Sequence, residues 1–478
     1  MVAHARLMFL ANAKIPIVRW AAVLVPALAI YFAPLPELTA QQRHLLAIFV
    51  GTIISLVAQP VPMGVSVVVA MTTLVLTNAL PGTKVLSGFS NPIIWMVFTA
   101  FLFARAITAT GFGLRIAYLF IRRFGHSALT LGYSVTASDV TLAVFIPSDT
   151  ARGGGIIYPI ARSLAQVFDS EPGPTAGRIG AFLMLVGFHS TYTASAMFLT
   201  GMVANPLIAE FASKFAHVEL TWLRWALAAS VPGLLTLALV PYLIYRLHPP
   251  EIRDTRAAQR LAGEELHRMG PPTGRERWLI AILFGVMAGW VTSPWHGFHY
   301  AFVALAGLSA ILLCRVITWD DLLRESNAWN ALIWFAPLVM MGEELAETGV
   351  IKVLSDSIFA HMQGWPWQLS IGVLVASYLY VHYGFASMTA HVTALYPGFL
   401  VAGLAAGAPP MLIALLLAYF SNLDAGITHY GTGSAPVYFG AGYVPQTTWW
   451  RLGLLISFLN LIIWLGLGPV WWKVIGLW

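Results

Sequence analysis

Apolar runs of membrane-spanning length recur along the whole of this chain, and two of them are broken midway by small polar residues. A helix needs about 20 mostly apolar residues to cross a bilayer core. Runs of that kind lie at 17–35, 44–60, 62–80, 91–110, 179–205, 222–246, 278–294, 298–317, 329–348, 409–430 and 452–474. Of the 478 residues, 58% are hydrophobic and only 10% are charged. A soluble domain of ordinary composition is about 25% charged, so a soluble enzyme, a nucleic-acid binder and a disordered scaffold are excluded. The chain reads as an all-α polytopic membrane protein of eleven transmembrane helices. The stretches 127–168 and 367–404 are different, each looking like a re-entrant helical hairpin with a polar tip. Non-helical backbone at membrane depth survives only inside protein or beside a water-filled cavity, so these hairpins point to a transport site.

Basic residues set the orientation. With the N-terminus inside, 17 of the 26 fall on the cytoplasmic side, among them Arg6, Lys14, Arg115, Arg122, Arg123, Arg178 and Arg451. The N-terminus is therefore expected in the cytoplasm, with the two hairpins entering from opposite faces. The only long polar segment, 248–277, holds 11 of the 46 charged residues and reads either as a solvated linker between two halves or as an interfacial helix. The first apolar run has no small-residue cleavage site and is expected to stay as a span. Cys314 is the only cysteine, which excludes an intramolecular disulfide.

The halves on either side of 248–277 share a motif. Ser148-Asp149-Thr150-Ala151-Arg152 is followed, after five intervening residues, by Tyr158-Pro159. Ser387-Met388-Thr389-Ala390-His391 is followed, after four, by Tyr396-Pro397. Each half then has a second interruption, Thr200-Gly201 through Pro206 and Thr428-His429 through Thr432-Gly433 to Pro436. Inverted repeats with broken helices are an architecture of secondary transporters, with the substrate near the midplane.

Residue types suggest what binds there. Hydroxyls of Ser148, Thr150, Thr200, Ser387, Thr389, Thr428 and Thr432 can donate to a carboxylate. Freed backbone at Gly201 and Gly433 and half-helix N-termini suit an anion. Arg152, His391 and His429 add cationic or donor groups, and an arginine at membrane depth is costly enough to be functional and partnered. The duller readings are a pair between Arg152 and Asp149, a helix-capping His391 and a packing His429. Asp139, Glu343, Glu344 and Asp424 read as partners or proton carriers, and His189 and His382 as packing residues. No metalloprotease-like ligand set or nucleophile–base set is evident, so no enzyme activity, cofactor or bound metal is expected.

The run Pro147–Pro159, the run Ser387–His391 and the segment from Thr428-His429-Tyr430 to Tyr443 resemble the divalent anion–sodium symporter (DASS) family. The likeness is to its exchanger branch of citrate/succinate and tartrate/succinate antiporters and plastid 2-oxoglutarate/malate translocators. It covers nearly the whole chain. It implies a homodimer in which scaffold spans (1–126 and 278–366) support moving transport elements (127–247 and 367–478) in an elevator mechanism. It further implies that Ser148, Asp149, Thr150, Ser387, Met388 and Thr389, at the hairpin tips, meet the substrate. Met388 replaces the symporters' asparagine, and a thioether is a poor sodium ligand. Asp149 replaces the other asparagine and adds negative charge. Met388, with Arg152 and His391 or His429 as fixed positive groups in place of bound Na⁺, favours exchange of C4 or C5 dicarboxylates in a bacterial plasma membrane, with lipid as the surrounding partner, while Asp149 counts towards the alternative. The alternative is Na⁺- or H⁺-coupled symport.

Overall fold

The computed structural model describes residues 18–353 and 364–478. Arg6, Lys14, the first residue of the 17–35 span and positions 354–363 of the expected scaffold lie outside the described residues. Within them the chain is helical, without a β-strand. Its main helices are α1 (Val18–Phe32), α2 (Ala40–Ala58), α3 (Met63–Leu76), α4 (Pro92–Thr110), α5 (Phe112–Phe124), α6 (Ala128–Ala143) and α7 (Tyr158–Val167). Next come α8 (Gly180–Met197), α9 (Asn205–Ala216), α10 (Trp222–Leu247), α11 (Arg256–Met269), α12 (Gly274–Val291), α13 (Tyr300–Leu313) and α14 (Ser326–Glu347). The chain continues with α15 (Trp367–Val381), α16 (Met388–Ala405), α17 (Pro410–Leu423), α18 (Gln446–Leu461) and α19 (Gly468–Val474). Short helical turns join several of these.

Five described helical stretches are long and apolar enough to span a bilayer: Pro92–Thr110, Trp222–Leu247, Met388–Ala405, Pro410–Ile427 and Gln446–Val474. Helices of this length and hydropathy fit an integral membrane protein. The expected span 179–205 is two helices, because the chain leaves helical geometry between Met197 and Asn205 and Pro206 restarts it at an N-terminal position. Proline is favoured there, where no intrahelical N–H bond is lost. The expected spans 62–80 and 298–317 contain helices of only 14 residues.

Both expected hairpins are helix–turn–helix units. α6 leads to a tip at 144–149, and the chain returns through a π-helical stretch, Thr150–Ile157, into α7. α15 leads through the turn His382–Gly384 to α16. The repeat is visible in their capping. Ser148 Oγ accepts from Ala151 N at 3.1 Å, and Ser387 Oγ accepts from Ala390 N at 3.3 Å. Each repeated serine thus meets one of the amide donors that a helix start leaves unsatisfied.

At the centre lies α8, every residue of which is buried, packed against α6, α7, α10 and α17. Leu412–Leu423 of α17 are also all buried. A helix enclosed on all sides has no lipid or water face, and these two set the depth of the breaks that follow them. Elsewhere α2–α4 pack among themselves or with α12–α14.

Two amphipathic helices lie outside the expected spans. α5 carries Arg122 and Arg123 in its last turn, where cations meet the negative end of the helix, and buries Ile116, Ala117 and Ile121. α11, within 248–277, packs on α5 through a face containing Ala258, Ala262 and Leu266. The polar segment thus contains an ordered helix packed on α5 rather than only a solvated linker. Buried Arg115 of α5 donates to both carboxylate oxygens of Glu276 and, at 2.8 Å, to the Gly270 carbonyl, fixing the end of this segment.

Candidate functional site: four chain breaks joined by polar contacts

The tip of the first hairpin meets the fourth break. Asp149 Oδ2 accepts from the hydroxyls of Thr432 and Ser434, the latter at 3.0 Å. Between those residues Gly433 lies so close to Thr150 that a Cβ there would sit 2.3 Å from its Oγ1. Tyr438, just beyond, donates to the Gly153 carbonyl at 3.0 Å. Contacts 283 and 285 residues apart in sequence therefore bind the two halves together. Asp149 and Thr432 are buried, Ser148, Ser387 and Thr389 are half-buried, and Thr150 and Gly433 are exposed. Met388 is buried within the first turn of α16.

Arg152 has a different neighbourhood from the one its sequence spacing suggests. Its partner is Asp139, on the opposite arm of the hairpin, with Nε 2.5 Å from Oδ1. Nη1 donates to the carbonyls of Ile146 (2.7 Å) and Gly201 (3.1 Å). Nη2 donates to the Thr191 carbonyl (2.9 Å) and Ser195 Oγ (2.6 Å). All five guanidinium N–H groups are thus engaged by protein, and none is left for an anion in this conformation. Asp139 also accepts from Thr191 Oγ1 at 2.5 Å. A buried charge needs this degree of pairing. The alternative pairing of Arg152 with Asp149 does not form.

Thr200 and Gly201 complete the same network. Thr200 Oγ1 donates to the Val144 carbonyl at 2.6 Å and accepts from Trp222 Nε1 at 3.1 Å. Asn205, at the start of α9, donates to the carbonyls of Ser195 and Phe198 and accepts from Asn422 at 2.9 Å. That bond links the second break to α17.

At the repeat position of Arg152, His391 is fully buried against Tyr378, with ring centroids 4.3 Å apart. His391 Nδ1 lies 2.5 Å from Asp424 Oδ2 and 3.1 Å from His382 Nδ1. His382 Nε2 lies 2.9 Å from the Gly431 carbonyl. A carbonyl only accepts, so His382 carries hydrogen on Nε2, and its Nδ1 is an acceptor when the ring is neutral. His391 then holds its hydrogen on Nδ1, towards Asp424. His382, expected as a packing residue, is a member of this group, whose ligand-type atoms all lie within 4.8 Å of one another. His189 does pack, its Nδ1 2.6 Å from Tyr192 Oη. His429 is half-buried beside Phe439 and accepts at Nδ1 from Trp450 Nε1 at 2.9 Å, apart from the histidine pair. Thr428 Oγ1 is buried without a protein partner, while its carbonyl accepts from Trp449 Nε1 at 3.2 Å.

Asp139, Asp424 and His382 came into view in the sequence only as polar residues in apolar runs, and Ser195 gave no signal beyond a hydroxyl in a helix. Glu343 and Glu344 lie away from the breaks and are partners of lysines: Glu343 of Lys214 at 2.5 Å and Glu344 of Lys84 at 2.6 Å.

A membrane protein whose polar interior is assembled from matched chain breaks in two repeated halves belongs to the class of solute transporters rather than enzymes. The model of the sodium:sulfate symporter transmembrane region matches residues 15–478, and the chain belongs to that family. It is 45% identical over 453 residues to a putative malate transporter of Bacillus subtilis, covering 94% of this chain and 95% of that one. It is 34% identical over 488 aligned positions to the L-tartrate/succinate antiporter of Escherichia coli, covering 96% and 99% of the two chains. The crystal structure of the Alcanivorax borkumensis YdaH transporter shares the fold, with a TM-score of 0.59 at 16% identity over 82% of this chain and 88% of that one.

Proposed function

We propose that this protein is a secondary active transporter that exchanges C4 and C5 dicarboxylates across a bacterial plasma membrane. The observation that carries the reading is the meeting of the Ser148–Thr150 tip with the Thr432–Ser434 break, which places half-buried and exposed hydroxyls beside helix starts. Ser148 and Thr150 contact one carboxylate, and Ser387 and Thr389, at matching positions of the second hairpin, contact the other. Met388 shapes the apolar wall between them. Thr200, Gly201, Thr428 and His429 hold the breaks open rather than touch substrate, and Thr432 and Gly433 fix Asp149 and Thr150.

Exchange follows from charge. Arg152 and His391 occupy equivalent positions in the two halves; Arg152 is balanced by Asp139, His391 is neutral in the empty carrier, and Asp149 and Asp424 are left as fixed interior charge. A carrier with such fixed groups crosses reluctantly when empty, because unbalanced charge in the bilayer is expensive. Arg152 is here a positioning residue, holding the first tip through carbonyl contacts rather than gripping the anion. The movement is of the elevator kind, with α6–α10 and α15–α19 moving against α1–α4 and α12–α14 in each protomer of a dimer. The N-terminus faces the cytoplasm.

Labelled succinate uptake into proteoliposomes tests this. Uptake is expected only when dicarboxylate is present inside, and equally in sodium and choline buffers. Strong sodium-dependent uptake into empty vesicles would overturn exchange in favour of symport.

A further inference from the structure

We propose that His382, His391 and Asp424 form a proton-binding site that fills as the dicarboxylate binds, so that one proton enters the buried centre with each dianion. The proposal rests on the dicarboxylate reading above and adds a second binding event to it.

The group is short of hydrogen. Its two neutral rings carry one N–H each. That of His382 is spent on the Gly431 carbonyl, and that of His391 lies towards Asp424 Oδ2. That leaves His382 Nδ1, His391 Nε2 and Asp424 Oδ1 as acceptor positions with no hydrogen of their own. Of these, His391 Nε2 and Asp424 Oδ1 are buried with no hydrogen-bond partner, and Thr428 Oγ1 beyond them is buried and unpartnered as well. Native interiors leave few such atoms unmet. A proton on His382 Nδ1 gives that ring two partnered donors, one to the Gly431 carbonyl and one towards Asp424 Oδ2 at 3.3 Å, and a full positive charge beside the carboxylate. The second half then has what the first half has permanently, a cation paired with a buried carboxylate, beside the repeat position of Arg152.

The charge balance points the same way. Four ionisable acid or guanidinium groups are buried around the breaks: Asp139, Asp149, Arg152 and Asp424. Asp139 and Arg152 cancel. Asp149 faces two hydroxyl donors, Thr432 and Ser434. With both histidines neutral, Asp149 and Asp424 give the centre two negative charges before a dianion arrives, and unpaired buried charge costs several kcal/mol per ion.

The groups facing the triad are Tyr378 from α15, whose hydroxyl lies 2.8 Å from Ser421 Oγ of α17, and Phe385 from the hairpin turn. From the break come Thr428 and Gly431, whose carbonyl meets His382 Nε2. Among the described residues no other charged side chain pairs with the triad. The incoming proton lodges on His382 Nδ1, the bonds from His382 Nε2 and His391 Nδ1 stay intact, and the proton leaves to water when substrate departs.

Proton uptake measured on the purified full-length protein decides it. The protein is held in a weakly buffered solution near neutral pH with an indicator dye, and succinate is added while binding is followed by calorimetry. About one proton taken up per bound succinate is expected. Binding without uptake overturns the proton site and leaves the dicarboxylate reading standing, whereas absence of binding by succinate, malate and tartrate overturns the dicarboxylate reading itself. His382→Gln is expected to abolish uptake per bound succinate, and uptake persisting there overturns the assignment. Asp424→Asn, which removes the carboxylate facing both rings, is expected to abolish it as well, and uptake persisting there overturns the assignment too, which keeps the test decisive if the histidine variant fails to fold.

Discussion

Arg152→Met removes five hydrogen-bond donors at once from a fully buried position. Asp139 keeps only Thr191 Oγ1, and the carbonyls of Ile146 and Gly201 lose the donor that draws the first tip against the second break. Breaking a buried ion pair from one side costs about 3–5 kcal/mol, because the remaining charge is uncompensated. At about 1.4 kcal/mol per tenfold, that lowers the folded-to-unfolded ratio by roughly a hundred- to several-thousand-fold. Asp139→Asn leaves the converse defect, a guanidinium facing an amide, at comparable cost. The double variant buries no net charge and should be less damaged than the sum of the singles by about 2–3 kcal/mol. Reversible unfolding in mixed micelles, followed by tryptophan fluorescence without substrate, measures all three. Additivity within about 0.5 kcal/mol, or an Arg152→Met protein as stable as its parent, would refute the idea that this pair is the interior clamp of the first half.

Further outcomes can be checked on the same preparation. Gly453→Ala would place a Cβ 2.4 Å from the Gly426 carbonyl. Backbone cannot rotate away, so overpacking of about 1–3 kcal/mol is expected, read as a lower unfolding midpoint together with slower exchange. Lys214 of α9 lies 2.5 Å from Glu343 of α14, across the proposed sliding boundary. Cysteines at both positions in a Cys314→Ser background, bridged by mercuric ion, should arrest exchange at least about tenfold and recover with dithiothreitol; full activity in the bridged protein would argue against sliding there. Outside the membrane-spanning segments, the backbone N–H and then the hydroxyl of Thr318, with Arg105, hold Asp321 down at about 2. Because its carboxyl is depressed when folded, the stability it adds is present above the ordinary carboxylate range and lost as pH falls through about 2. Asp321→Asn should therefore narrow the difference between melting curves at neutral and strongly acidic pH, and an unchanged difference would count against the contact.

The breaks were legible in the sequence for a simple reason. Glycine, proline and hydroxyl residues inside apolar runs conflict with a plain membrane helix, and Ser148–Asp149, Thr200–Gly201, Ser387 and Thr428–Gly433 all fall at or beside real interruptions. Partners were harder to read. Asp139 lies 13 residues before Arg152 and meets it only because the hairpin folds back, whereas Asp149 is near in sequence and turns the other way. His382 resembled any histidine in an apolar helix until the turn after α15 brought it onto His391. α5 escaped because its apolar face is narrow and interrupted by arginines, so it resembles a connecting loop when judged by span length alone, while α11 was one of the two readings of 248–277.

The central helix α8 carries an unbroken polar run, His189-Ser190-Thr191-Tyr192-Thr193, followed by Ser195, and is not among the helical stretches apolar enough to span on their own. Each of its faces is nonetheless covered by protein. Such a segment gains little from lipid during biogenesis, and its hydroxyls meet acceptors chiefly within its own turns and on Asp139. Its entry into the bilayer therefore depends on helices already waiting beside it. α6, made earlier, and α10, made after α9, are the chaperoning surfaces within the same chain. Shortening the ribosome-bound chain so that it ends before Trp222 should leave α8 poorly inserted, a defect that extension through Leu247 repairs.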